Sequence, residues 1–240
     1  MASWRRSRVV ILLATLAAAA LTARLGVWQL DRAAQKTAMQ GNIEQRAAMP
    51  SLPLADLARK ADLAPSQHYR KITLQGRWLP AHTIYLDNRP MNGRTGFIVV
   101  TPLLLSVGDA VLVQRGWMPR DQQDRTRLQP LPTPSGDVIV AGRIAPEPSR
   151  LLEFAAVNTG AIRQNLDARE FAQEIGHTLR PLSIQQLDGP DAPPDGLQRQ
   201  WPMPAVDVGK HHGYAFQWFA LCALILGLYV WFQLLRPRSS

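Results

Sequence analysis

The residues best equipped for chemistry lie near the C-terminus, where His211-His212-Gly213-Tyr214-Ala215-Phe216-Gln217-Trp218 runs into an apolar stretch. At 3.6 residues per helical turn, His211, Tyr214, Ala215 and Trp218 share one face. That stripe offers an imidazole able to ligate iron, a small residue that permits close approach, and rings to cover a flat apolar ligand. Haem iron is commonly held by histidine, and a membrane interface suits a porphyrin with an oily body and a carboxylate edge. Arg24 and Lys210 are cations that could meet such carboxylates. A second account is equally physical: histidine, tyrosine and tryptophan at the start of a spanning helix are ordinary interfacial anchors. The residues alone leave both accounts open. His212 faces elsewhere on the helix.

A comparable set lies near the other end of the chain. Leu25, Trp28, Gln29 and Arg32 fall on one helical face, with Trp28 and Arg32 one turn apart. If the two helices pack together, this face lines the same pocket as His211, and Gly26 permits their close approach. An anchoring belt with a snorkelling arginine again competes with that reading.

Other chemistries find no foothold. The sequence has no Gly-x-Ser-x-Gly, no His-Glu-x-x-His, no phosphate-binding glycine loop and no dinucleotide fingerprint. His68, His82 and His177 are scattered, and Asp87 and Asp121 lie beside turns, where acidic residues commonly cap the backbone. Cys222, the single cysteine, cannot supply a disulfide or a paired-thiolate copper site. The expectation is a protein that is not an enzyme.

Two apolar runs must position these residues. Residues 9–30 follow Arg5, Arg6 and Arg8 and are long enough to span a bilayer, although a cleaved leader also starts this way. Residues 214–235 carry no charge, with Tyr214 and Trp218 near one end and Tyr229 and Trp231 near the other. Arg236 and Arg238 follow. Basic flanks at both termini favour the cytoplasmic side, so the middle of the chain is expected outside, in the periplasm of a Gram-negative bacterium. The net charge of +9 then needs no nucleic acid, because residues 31–212 hold 21 basic and 18 acidic side chains. Most of the excess sits at membrane flanks, facing anionic lipid.

The expected fold is α+β: two transmembrane helices flanking a mainly antiparallel β outer domain with a few helices. Its expected divisions are a cytoplasmic N-terminus over 1–8, a span over 9–30, an outer domain over 31–187, a proline-rich linker over 188–212, a second span over 213–235 and a cytoplasmic C-terminus over 236–240. Alternation predicts a strand at Tyr69–Trp78, with Ile72, Leu74 and Trp78 on one face and Lys71, Thr73 and Arg77 on the other. Further strands are predicted at His82–Asn88, Gly96–Leu105, Ala110–Met118, Asp137–Ile144 and Arg180–Leu187. Asn92-Gly93 and Gly108-Asp109 supply tight turns, and connections this short predict an antiparallel meander. Helices are predicted at Asp31–Ala48, continuing the first span, and at Ala168–Ile175.

Five segments in this order, between two apolar runs, resemble the SURF1 (Surfeit locus 1, Shy1) family of cytochrome c oxidase assembly proteins. They are Leu25-Gly26-Val27-Trp28-Gln29-Leu30-Asp31-Arg32, Tyr69 through Trp78, Gly96-Phe97-Ile98-Val99-Val100-Thr101-Pro102, Val111 through Pro119, and His211-x-x-Tyr214-Ala215-x-x-Trp218. The resemblance implies a multi-pass protein of the bacterial inner membrane. It would help insert haem a into subunit I of the oxidase, without turnover of its own, with haem a synthase as a possible second partner. It further implies that His211 ligates the haem iron, with Tyr214, Trp218, Trp28 and Arg32 beside the cofactor. A membrane-anchored scaffold that grips an oxidase subunit without binding haem is the alternative. The chain departs from the family pattern at Gly209-Lys210, where asparagines are common, at Gln114 in place of asparagine, and at Gln35 in place of tryptophan.

Overall fold

The computed structural model describes residues 2–151, 160–189, 195–201 and 208–235. Met1, the C-terminal flank with Arg236 and Arg238, and residues 190–194 and 202–207 of the expected linker lie outside them. In chain order the elements are α1 (Ala2–Ala48), α2 (Ala64–Gln67), β1 (Lys71–Trp78), β2 (Ile84–Met91), β3 (Arg94–Ser106), β4 (Asp109–Pro119), β5 (Asp137–Ala145), β6 (Ile162–Arg163), α3 (Ala168–Ile175), β7 (Thr178–Gln186) and α4 (Val208–Val230). They form two units, Met1–Ile43 with Met203–Ser240, and Glu44–Pro202.

In the first unit, α1 is one uninterrupted helix of 47 residues that ends two residues before Pro50, whose ring disfavours helical geometry in the residue preceding it. α4 begins before the expected span and closes in a wider π-type turn at Trp231–Leu235. Both are long and apolar enough to cross a membrane. Leu13, Leu21, Phe216 and Leu224 are among the many large apolar side chains they expose.

The second unit is built on one mixed sheet in the order β1-β5-β7-β4-β3-β2-β6, with a further pairing of β1 to β3. Burial alternates strictly along β1, as the sequence predicted. The strand starts at Lys71 and not at Tyr69, because Tyr69 sits at φ 74° and turns the chain out of the sheet. The predicted turn at Asn92-Gly93 is present with both residues in the left-handed region, as a two-residue hairpin requires. The turn into β4 uses Val107 and Gly108. α3 occupies its predicted range, with the Asp167 side chain accepting from the N–H groups of Arg169 and Glu170 and left-handed Gly176 closing its end.

The meander expectation holds for β2-β3-β4 and fails beyond it. β1 pairs with β5 and, at its end, with β3, while β7 joins β4 in parallel. A parallel pair needs a long crossover, and residues 120–177 between β4 and β7 provide one.

These pairings close β1, β5, β7, β4 and β3 into a ring. Lys71 faces Arg143, Arg143 faces Gln185, Gln185 faces Gln114, and Gln114 faces Val100. β3 meets β1 with Leu104 opposite Arg77, which sets Val100 level with position 81, ten residues beyond Lys71. That stagger tilts the strands, and a ring of five leaves an interior that side chains fill. Ile72, Leu74 and Trp78 of β1, Leu103 of β3, Val111 and Val113 of β4, Val140 and Ile144 of β5, and Leu182 and Ile184 of β7 form that interior, with Leu52 and Leu57 packed on it. A second cluster puts Phe171 and Ile175 of α3 against Leu86, Val100 and Leu112.

Gly76 is the residue that lets the ring close. A Cβ there would lie 2.4 Å from the Leu104 carbonyl oxygen. Gly76→Val is therefore expected to destabilise the unit by about 1–3 kcal/mol or more. Gly189→Ala, whose Cβ would meet nothing within 4 Å, should leave it unchanged. Thermal unfolding in detergent checks both, and equal melting of the two variants would contradict the closure.

Candidate functional site

The α1–α4 pair is organised by spacing. The less exposed positions of α4 include His211, Ala215, Trp218, Cys222, Ile225 and Tyr229, alternating four and three apart. Those of α1 include Thr15, Ala19, Thr22, Gly26, Gln29 and Ala33 with the same alternation. This is the two-stranded seam of a seven-residue repeat, with small residues on one helix and larger ones on the other. A Cβ on Gly26 would lie 2.8 Å from the Phe219 ring, and the Cys222 thiol reaches the Ala19 carbonyl at 3.4 Å. The contacts descend α1 as they ascend α4, so the helices are antiparallel.

His211 sits at one end of this seam. Its Nδ1 lies 2.7 Å from Oε1 of Gln29. An amide oxygen only accepts, so Nδ1 is the donor in this contact, and in the neutral ring Nε2 would keep its lone pair. This is the usual state of a metal-ligating histidine, whose other ring nitrogen donates to an oxygen nearby.

Among the described residues no three His, Cys, Asp or Glu side chains gather as a metal-binding group. A porphyrin brings four nitrogens of its own, so it would need fewer protein ligands than a bare cation, and a single imidazole such as His211 could serve as one of them.

The other predicted site residues are distributed around this point. Ala215 and Trp218 share the seam with His211, whereas Tyr214 is 50% exposed and lies off it. Trp28 is 46% exposed, with the Arg32 guanidinium 5.6 Å above its ring. Arg32 also donates to Gln35 at 3.0 Å. The α1 residue that the structure brings to His211 is thus Gln29, which the sequence placed on the right face without singling it out. Its signal was a lone amide spaced three and four residues from Gly26 and Ala33.

Depressions in the sheet unit offer less. One of about 650 Å³ is lined by Arg94, Arg120 and Arg125. Two of its cations are already engaged, Arg120 and Arg125 lying 3.6 and 3.0 Å from buried Asp87.

The segments that singled out this sequence inside the sheet prove to be framework. Gly96 admits the Trp117 ring, which a Cβ would meet at 2.5 Å, and the buried Trp117 indole donates to the Arg89 carbonyl at 2.7 Å. Gly116 lets Leu197 approach, and backbone bonds then pair Trp117 with Gln198. Arg115 stacks over Trp78 at 4.8 Å and donates to Thr133 and the Pro132 carbonyl. Gln114, standing where asparagine is common, donates to Ser183 at 2.7 Å and ties β4 to β7.

Known proteins are similar to this chain over most of its length. A SURF1-like protein of Rickettsia felis is 26% identical over 212 residues, covering 86% of this chain and 89% of that protein. An uncharacterised SURF1-like protein of Mycobacterium bovis is 26% identical over 223 residues, 90% of this chain and 80% of its own length. The cytochrome oxidase assembly protein SHY1 of Saccharomyces cerevisiae is 27% identical over 169 residues, 68% of this chain and 43% of the yeast protein. The SURF1 family model matches residues 16–223. That span takes in most of the helix seam, the Gln29–His211 contact and the entire strand ring, and the chain belongs to the SURF1 family.

Proposed function

We propose that this protein is an assembly factor for a haem–copper cytochrome c oxidase, which holds haem a on His211 and assists its insertion into subunit I. The observation that carries this reading is the Gln29–His211 hydrogen bond, which engages Nδ1 and leaves Nε2 free to ligate iron in the neutral ring. The yeast relative, named for cytochrome oxidase assembly, supports the choice of target. α1 and α4 are read as spans of the bacterial inner membrane, since helices so apolar and so exposed need an apolar surrounding. Their antiparallel pairing agrees with basic flanks on one, cytoplasmic, side, leaving the sheet unit in the periplasm.

In this reading Trp28, Tyr214 and Trp218 cover the porphyrin and Arg32 meets a carboxylate at its edge. Haem a is cargo, taken from its synthase and passed on without turnover. The protein's part is to orient one imidazole, cover the ring and exclude water. Purification in detergent from cells making haem a, followed by pigment extraction, should yield haem a. A colourless protein from such cells would overturn the haem reading and leave the scaffold that grips an oxidase subunit without it.

A further inference from the structure

We infer that Gln29 is a positioning residue that selects which nitrogen of His211 is offered to iron, and that it does so only while α1 and α4 are paired. The inference rests on the reading of His211 as the haem ligand. In free neutral histidine the proton prefers Nε2, which would block that nitrogen as a ligand. Gln29 reverses the preference, because its Oε1 accepts the Nδ1 proton at 2.7 Å. On the α1 seam Gln29 lies between Gly26 and Ala33, neither of which has a side chain that could partner the amide. Ligand and orienting group sit on different helices, 182 residues apart in the chain. Moving the helices apart would therefore free Nδ1 and weaken the hold on iron without touching the iron, which is what a carrier of cargo requires at release.

The test uses full-length protein in detergent with Gln29→Leu, which keeps length and removes the acceptor, and Gln29→Glu, which supplies a stronger one. The first readout needs no haem. Nitrogen-15 shifts of His211 in the pigment-free protein should show Nδ1 protonated in the wild type and in Gln29→Glu, and a shift towards the Nε2-protonated form in Gln29→Leu. With haem a added, affinity should fall about 10–100-fold in Gln29→Leu and be retained in Gln29→Glu, with a lower midpoint potential from the more electron-rich imidazole. Unchanged nitrogen shifts in Gln29→Leu would overturn the inference, as would an unchanged haem affinity with the shifts altered. The parent reading fails separately, if His211→Ala keeps its pigment, and the nitrogen shifts still decide the role of Gln29.

Discussion

Alanine at position 211 is expected to remove the pigment from the purified protein, while alanine at 212 leaves it in place. The two histidines are adjacent but point about 100° apart around the helix. His211 lies on the seam with Gln29 as its partner, and His212 is exposed. If His211 holds the haem iron, its loss should lower haem content by at least ~10–100-fold, the scale on which even the supporting partner of a ligand acts. The same change leaves the Gln29 amide unpartnered, a destabilisation of about 1–3 kcal/mol. Melting must therefore be recorded beside Soret absorbance per protein. His211→Ala melting within a few degrees of wild type and lacking the Soret band supports the ligand role. An unchanged spectrum, or equal loss in His212→Ala, would sink it.

Asp109→Asn is expected to bring the largest loss of stability in the sheet unit. Arg180, only 4% exposed along its side chain, donates to both Asp109 oxygens at 2.7 Å and also to the Leu57 carbonyl. Arg59 approaches the same carboxylate at 3.2 Å. The pair ties the starts of β4 and β7 to the segment at Leu57. An amide there leaves a buried guanidinium without its counter-charge, at a cost of about 3–5 kcal/mol.

The carboxylate also gives this clamp a pH dependence. Hydrogen bonds from Arg180, then its charge and that of Arg59, hold the Asp109 carboxyl below the usual aspartate range against the opposing effect of burial. A carboxyl depressed in the folded state contributes stability in full above its unfolded value of about 3.9. That contribution is lost as pH falls through the lower folded value. Wild-type stability should thus fall more steeply than that of Asp109→Asn below about pH 4. Denaturant midpoints at pH 7 and in that acid window measure both claims. Parallel pH profiles of wild type and variant would exclude the clamp.

What could be read in advance follows from how far apart the cooperating residues lie. The β1 alternation, the Asn92-Gly93 turn and the caps of α3 are local, and local patterns show in the sequence. Ring closure is not local: Gly76 matters because of Leu104, and Asp109 because of Arg180, 71 positions on. β6 is two residues long and leaves no periodic trace. At the site, helical spacing placed His211, Ala215 and Trp218 on one face correctly. Gln29 went unnoticed as a partner because a face can be read from one helix, whereas a contact between helices needs both. The segments around Gly76, Gly96 and Trp117 identify the family, yet in the structure they explain packing. In the helix pair, packing accounts for Gly26, Ala19 and Cys222, whereas His211 and Gln29 form a polar contact between the two helices.

The distance in sequence between Gln29 and His211 also sets an order of events during synthesis. The first helix is complete long before the ribosome reaches the second, and the strand ring lies wholly between them. Until the last helix has been made and has found the first, the orienting amide has nothing to orient. A chain truncated or stalled anywhere before residue 211 would hold the amide of Gln29 but not the imidazole it contacts. In the proposed reading, loading would then wait for a finished polypeptide, and a partly made chain would not compete for haem.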